Sequence, residues 1–250
     1  DGTALSGDMA ARILDLAGIV VNRNTIPGDT SAANPSGIRL GSPWITQRGF
    51  KEKETEQVAA LIADVLKACT PYRQAGRKAD LPRAKVGFET LNVTRIRARD
   101  LSLSMGLDFK PASHGSAHFY YLDDKKPRGR FAVIEVGGHR AEALLRWATN
   151  AWVEDLEPGE SASAKMHTPK GSVRATVTRN EDGRWTLTVP SSDAVLAVTW
   201  LKDLSDGYVS FDEADPTKRT PGPVPIRLKG AVEGMPSTRA DAAGDEKPWY

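Results

Sequence analysis

Residues 172–189 alternate apolar and polar side chains in two short runs separated by a four-residue turn. Val173, Ala175 and Val177 fall on one face of the first run, and Trp185, Leu187 and Val189 on one face of the second. Asn180, Glu181, Asp182 and Gly183 lie between them. A period of two on either side of a Gly-terminated turn specifies an antiparallel hairpin with one buried face. Such a hairpin is marginal in water by itself, so other elements must cover it. Residues 131–136 read as a strand. Residues 141–152 read as a helix with Ala141, Leu144, Leu145 and Ala148 on one side. Ser191 or Ser192 can cap a further helix carrying Val195, Val198, Leu201 and Leu204 and closed by Gly207. The order β, α, β-hairpin, α, β is that of an α+β domain.

A second pattern occupies the first seventy residues. Met9, Ile13 and Leu16 recur at helical spacing over 8–17, with Ser6 or Asp8 as cap and Gly18 as stop. Residues 19–21 read as a strand, 22–36 as a loop rich in Pro, Gly, Asn and Ser, and 37–40 as a second strand. Residues 51–68 carry Val58, Leu61, Ile62, Val65 and Leu66 in one apolar stripe, the mark of an amphipathic helix. Pro71 follows, and Arg73, Arg77, Lys78, Arg83 and Lys85 make the next stretch basic and poor in apolar side chains. The expected organisation is a unit at 1–70, a linker at 71–90, a second unit at 91–232, and a mobile tail at 233–250 rich in Gly, Pro, Ala, Asp and Lys. Trp249 and Tyr250 end the chain; together with the absence of an initial Met they point to continuation at both ends.

Composition narrows the function classes. The chain has 250 residues and a formal net charge of +2, with 34 Lys and Arg against 32 Asp and Glu. That balance gives no electrostatic reason to expect nucleic acid as partner. No apolar run is long enough for a membrane span, and the start lacks the features of a secretory signal. The one cysteine, Cys69, cannot form an internal disulfide, which fits a cytoplasmic protein.

Three linked motifs carry the chemistry: V-N-R-N-T-I-P at 21–27, P-S-G-I-R-L-G-S-P at 35–43 and I-T-Q-R-G-F at 45–50. Residues 1–70 thereby resemble the C-terminal part of serine hydroxymethyltransferases, which carry V-N-x-N-x-I-P, S-G-I-R-x-G-T-P and T-x-R-G-F in this order. Ser42 stands where those enzymes usually have Thr, and the loop before Pro35 is about one residue shorter. The resemblance implies the small C-terminal domain of a fold-type I pyridoxal-phosphate enzyme. It implies that Arg39 binds the substrate carboxylate, a task suited to a planar guanidinium that makes two parallel hydrogen bonds. It puts Asn24 at the folate site, where an amide can both donate and accept. Ser36, Gly37, Thr46 and Arg48 support the site, with Thr46 expected to cap the helix that follows. The Schiff-base lysine, the phosphate loop and the Asp facing the pyridine nitrogen have no counterpart here, and Lys51 and Lys53 are no candidates. No catalytic residue is therefore expected in this chain. Pyridoxal phosphate and tetrahydrofolate are expected in the intact parent, as is a homo-oligomer.

A second resemblance covers about 128–232. V-G-G-H-R-A-E-A-L-L at 136–145, T-N at 149–150, L-E-P-G at 156–159 and T-P-K-G-S-V at 168–173 look like the folate-binding domain of aminomethyltransferases, the T-protein of glycine cleavage. That family has a pattern like G-G-x-x-D-D with a catalytic Asp. Here Arg174 and Ala175 stand near the acids' place, so a degenerate copy is expected. Of the remaining signals, His114 and His118 lack a third ligand and no metal site is expected. His139 and His167 are isolated, residues 123–126 form a charged turn, and the sequon at Asn92 has no secretory context. The reading is a fragment of a glycine hydroxymethyltransferase fused to a T-protein-like domain, inactive alone. A related aldolase or transaldolase, or a non-catalytic folate- or partner-binding scaffold, are the alternatives.

Overall fold

The computed structural model describes residues 3–77, 79–105, 128–212 and 214–239. The chain forms two compact units, the first from 1–120 and 208–218, the second from 121–207 and 219–250.

In the first unit, helix α1 (Gly7–Leu16) is capped by the Ser6 hydroxyl, which accepts from the Met9 amide. Met9, Ala10, Ile13 and Leu14 are its buried face. Strands β1 (Asn22–Asn24) and β2 (Gly37–Arg39) form a two-stranded antiparallel ribbon. Residues 19–21, expected as the first strand, lie outside the ladder: the Ile19 amide donates to Leu14 O at 2.9 Å, Val20 is 78% exposed, and strand pairing begins only at Asn22. A short helix α2 (Pro43–Gln47) precedes α3 (Glu52–Lys67), which buries Leu61 and Val65. Thr46 lies inside α2 and its hydroxyl donates to Ser42 O at 3.0 Å. It does not cap α3, where Lys51 holds that position and its amide donates to Glu54.

The expected linker at 71–90 is instead structured. Strands β3 (Thr70–Gln74) and β4 (Leu81–Gly87) pair antiparallel, and helix α4 (Phe88–Ser104) starts directly after. The basic residues hid these strands. Lys85 is 1% exposed, and its ammonium donates to Val209 O at 3.2 Å and Lys218 O at 2.8 Å, with the Phe211 ring 5.5 Å away. Those acceptors come from the returning segment 208–218, whose strand β9 (Val209–Ser210) joins β4 in parallel. A buried ammonium is tolerable only when such partners satisfy it, and they are remote in sequence.

The second unit is built on a five-stranded antiparallel sheet of order β10-β5-β8-β7-β6. Its strands are β5 (Phe131–Val136), β6 (Ser161–Thr168), β7 (Gly171–Arg179), β8 (Trp185–Pro190) and β10 (Ile226–Val232). The hairpin pairs β7 with β8 as the alternation requires, Val177 facing Leu187. Helix α5 (Ala141–Ala148) stops short of the expected 152, because Thr149 leaves helical geometry and bridges to Met166. Helix α6 (Ala194–Asp206) is led by Asp193, not by Ser191 or Ser192; Ser191 donates its hydroxyl to Gly129 O. Gly207, at φ 76°, closes α6 as expected. The tail is not wholly free: Arg239 N donates to Ser161 O at 2.8 Å, and Arg239 bridges in parallel to Ala162. The His114–His118 pair and the turn at 123–126 lie outside the described residues.

Candidate functional site: the β1–β2 ribbon

The ribbon presents the predicted residues in an order fixed by its register. Asn22 faces Arg39, Arg23 faces Ile38, and Asn24 faces Gly37. Side chains of opposed residues share a face, and neighbours along a strand alternate. Arg39 and Asn24 therefore lie on one face, diagonal to one another, a spacing that long side chains can span. Arg23 is on the opposite face and pairs with Asp8 of α1 at 3.0 Å. The Arg23 side chain thus reaches α1, while Arg39 and Asn24 share the other face of the ribbon. Arg12 also holds Asp8, at 2.9 Å, and that hydrogen bond raises the Arg12 pKa.

The approach of α1 to the ribbon depends on Gly7. Its amide donates to Pro35 O at 2.9 Å, and a Cβ here would overlap the Gly37 carbonyl. Gly37 is itself crowded: a Cβ would strike the Ile26 side chain and lie 3.1 Å from Asn24 O. Before β2, Ile26, Pro27, Gly28 and Asp29 form a turn closed by Asp29 N donating to Ile26 O at 3.1 Å. Gly28 has φ 101°, in the left-handed region that favours glycine. The Asp29 carboxylate then accepts from the Ile26 amide at 2.9 Å, the Ser36 amide at 3.0 Å, and the Ser36 hydroxyl. These bonds, the Ser36 hydroxyl first, hold the Asp29 pKa below its ordinary value. Asp29 is the residue the motif reading missed. Its signal was Pro-Gly-Asp, a turn with a carboxylate placed to gather nearby amides.

Arg39 is exposed, and its guanidinium has no hydrogen bond or ion pair among the described residues. Asn24 is exposed too; its amide nitrogen donates to Thr25 O at 2.9 Å, leaving its oxygen without a partner among the described residues. Ser36 and Gly37 lie on or next to the ribbon. Thr46 and Arg48 belong instead to α2 and its end, where Arg48 Nη2 donates to Ser102 O of α4 at 2.6 Å. That bond fixes α2 against the rest of the first unit.

The lysines here do not fit a cofactor-bearing amine, which must face an enclosed site. Lys51 and Lys53 are exposed at the start of α3, and the Lys85 ammonium is engaged by backbone carbonyls. Among the described residues, no group of three or more His, Cys, Asp or Glu could hold a metal ion, and no helix is long and apolar enough to cross a membrane.

Residues 1–62 match the family model described as serine hydroxymethyltransferase. The serine hydroxymethyltransferase of Natronomonas pharaonis is 56% identical over 62 residues, covering 24% of this chain and 15% of the relative. That of Bombyx mori is 50% identical over 66 residues, 26% of this chain and 14% of the relative. The mitochondrial serine hydroxymethyltransferase of Schizosaccharomyces pombe is 45% identical over 74 residues, 30% of this chain and 15% of the relative. The chain thus spans about one-seventh of the length of these relatives, and the mitochondrial one shows that the likeness assigns no compartment. Among solved structures, the aminomethyltransferase T of the glycine cleavage system from Bartonella henselae matches 32% of this chain and 24% of its own, at 19% identity and a TM-score of 0.27. A score that low supports no argument about the second unit. Over residues 1–62 the chain resembles the C-terminal part of serine hydroxymethyltransferases, and the ribbon bearing Arg39 and Asn24 lies wholly inside that segment.

Proposed function

We propose that residues 1–70 supply the substrate-carboxylate wall of a pyridoxal-phosphate-dependent glycine hydroxymethyltransferase, which converts serine and tetrahydrofolate to glycine and methylene-tetrahydrofolate. The observation that carries this reading is Arg39, without a partner among the described residues, on the same ribbon face as Asn24 within the family-like segment. Arg39 holds the amino-acid carboxylate through two parallel N–H···O bonds and so fixes which bond at Cα is presented for cleavage. Asn24 contributes its side-chain oxygen to a folate ring. Ser36 and Asp29 stiffen the loop that leads into β2.

The lysines of this segment do not fit pyridoxal phosphate: Lys51 and Lys53 are exposed. In this reading the cofactor belongs to the remainder of an intact, homo-oligomeric parent, and this chain alone is inactive. Leu40 and Trp44, 59% and 69% exposed, support a face shared with a larger body. In that parent, Arg39→Ala should raise KM for serine by about tenfold to a hundredfold, with Arg39→Lys recovering part of the loss. An unchanged KM would remove the clamp from the account. Loss of folate dependence would favour an aldolase or transaldolase.

For the second unit we infer a non-catalytic binding or scaffold role, with placement in the cytoplasm. Arg174 is exposed and Ala175 buried where the T-protein-like pattern carries acids. Without a carboxylate there, no group handles the proton of a folate amine. Incubation of the full chain with tetrahydrofolate and an S-aminomethyl thiol donor checks this: formation of methylene-tetrahydrofolate with release of ammonia and the free thiol would contradict it.

A further inference from the structure

Helices α3 and α4 meet along a cleft of about 300 Å³ lined by Gln57, Leu61, Arg97, Asp100, Leu101 and Ser104. The α4 residues lie at helical offsets of three, four and seven, so they share one face. Leu61 is buried and Leu101 half-buried, so two leucines stand among the lining residues. Two charges of opposite sign remain available beside them. Arg97 is exposed, with no hydrogen bond or ion pair among the described residues. Asp100 holds the Arg99 Nε and Nη2 groups, at 3.0 and 2.9 Å, through Oδ1 alone. Its Oδ2 has no partner among the described residues. Gln57 Nε2 leans on Lys53 O at 3.4 Å, which leaves the amide oxygen without one.

A guanidinium and a carboxylate oxygen one helical turn apart, beside leucine side chains, are complementary to an apolar zwitterion. We propose that this cleft binds a small α-amino acid with an apolar side chain. The carboxylate goes to Arg97, the ammonium to Asp100 Oδ2 and the Gln57 oxygen, and the side chain to Leu61 and Leu101. The volume lies at the lower end for ligand pockets, which suits one amino acid and is too small for a folate. The α4 wall lies beyond the segment matched by the family model, and the site is separate from Arg39.

The test is a heteronuclear NMR titration of the full chain with L-leucine, using acetate and 3-methylbutylamine as half-ligands. L-leucine should give saturable shifts at Leu61, Arg97 and Leu101, and each half-ligand should bind about tenfold more weakly or worse. Arg97→Gln and Asp100→Asn should each weaken L-leucine binding by about tenfold or more. Both positions are exposed, so the melting temperature should not move. Arg39→Ala should leave the binding intact. The proposal is overturned by absent saturation, by acetate binding as well as L-leucine, or by loss of binding in Arg39→Ala.

Discussion

Asp29 and Gly7 set the ribbon at the scale of single residues. The Asp29 carboxylate collects two amides and a hydroxyl from both ends of the loop before β2. Its folded-state pKa lies below the ordinary 3.8. A depressed acid contributes order that is present above the unfolded pKa and is lost as pH falls through the folded one. A carboxylate NMR titration should therefore give a midpoint below 3.8, with the Ser36 amide shifting in step. A midpoint at or above that value would deny the three-bond cradle. Gly7 makes a different demand. A Cβ there meets the Gly37 carbonyl and comes within 3.0 Å of Pro35 O, all backbone. Gly7→Ala should cost roughly 1–3 kcal/mol in urea unfolding, the usual range for overpacking. Gly37→Ala should destabilise as well, because its Cβ would strike Ile26 Cγ2, a branch methyl with little freedom at χ1, and lie 3.1 Å from Asn24 O.

The elements divide into those whose reason is local and those whose reason is remote. The β7–β8 hairpin, α1, α3 and the Gly207 stop were legible because periodicity, caps and turn residues sit within each segment. Strands β3 and β4 were not. Their alternation is interrupted by Arg83 and Lys85, and the buried Lys85 is met by carbonyls of Val209 and Lys218 from more than a hundred residues away. Residues 19–21 failed the other way. Three apolar residues looked like a strand, yet the partner β2 reaches only to Asn22. Lys85 thus clasps β4 to the 208–218 segment. Lys85→Met should destabilise the first unit by about 1–3 kcal/mol, since one buried and one half-buried carbonyl lose a donor. It should also expose 211–218 to limited proteolysis. Wild-type stability in that variant would show the clasp to be incidental.

At the scale of the whole molecule, the chain carries a family-like segment of 62 residues within a first unit that also includes β3, β4, α4 and a returning strand. The motif residues were legible because Arg39, Asn24 and Gly37 form a ribbon local in sequence. Asp29's cradle and the Arg48–Ser102 bond were not, because each joins segments that no motif links. The central claim is that Arg39 is a carboxylate clamp. Equilibrium binding of serine to the proposed intact parent, wild type against Arg39→Ala, tests it most directly. The account predicts a loss of affinity of about tenfold to a hundredfold, with folding unchanged because the exposed guanidinium has no partner among the described residues. Equal affinity in the two proteins would contradict it.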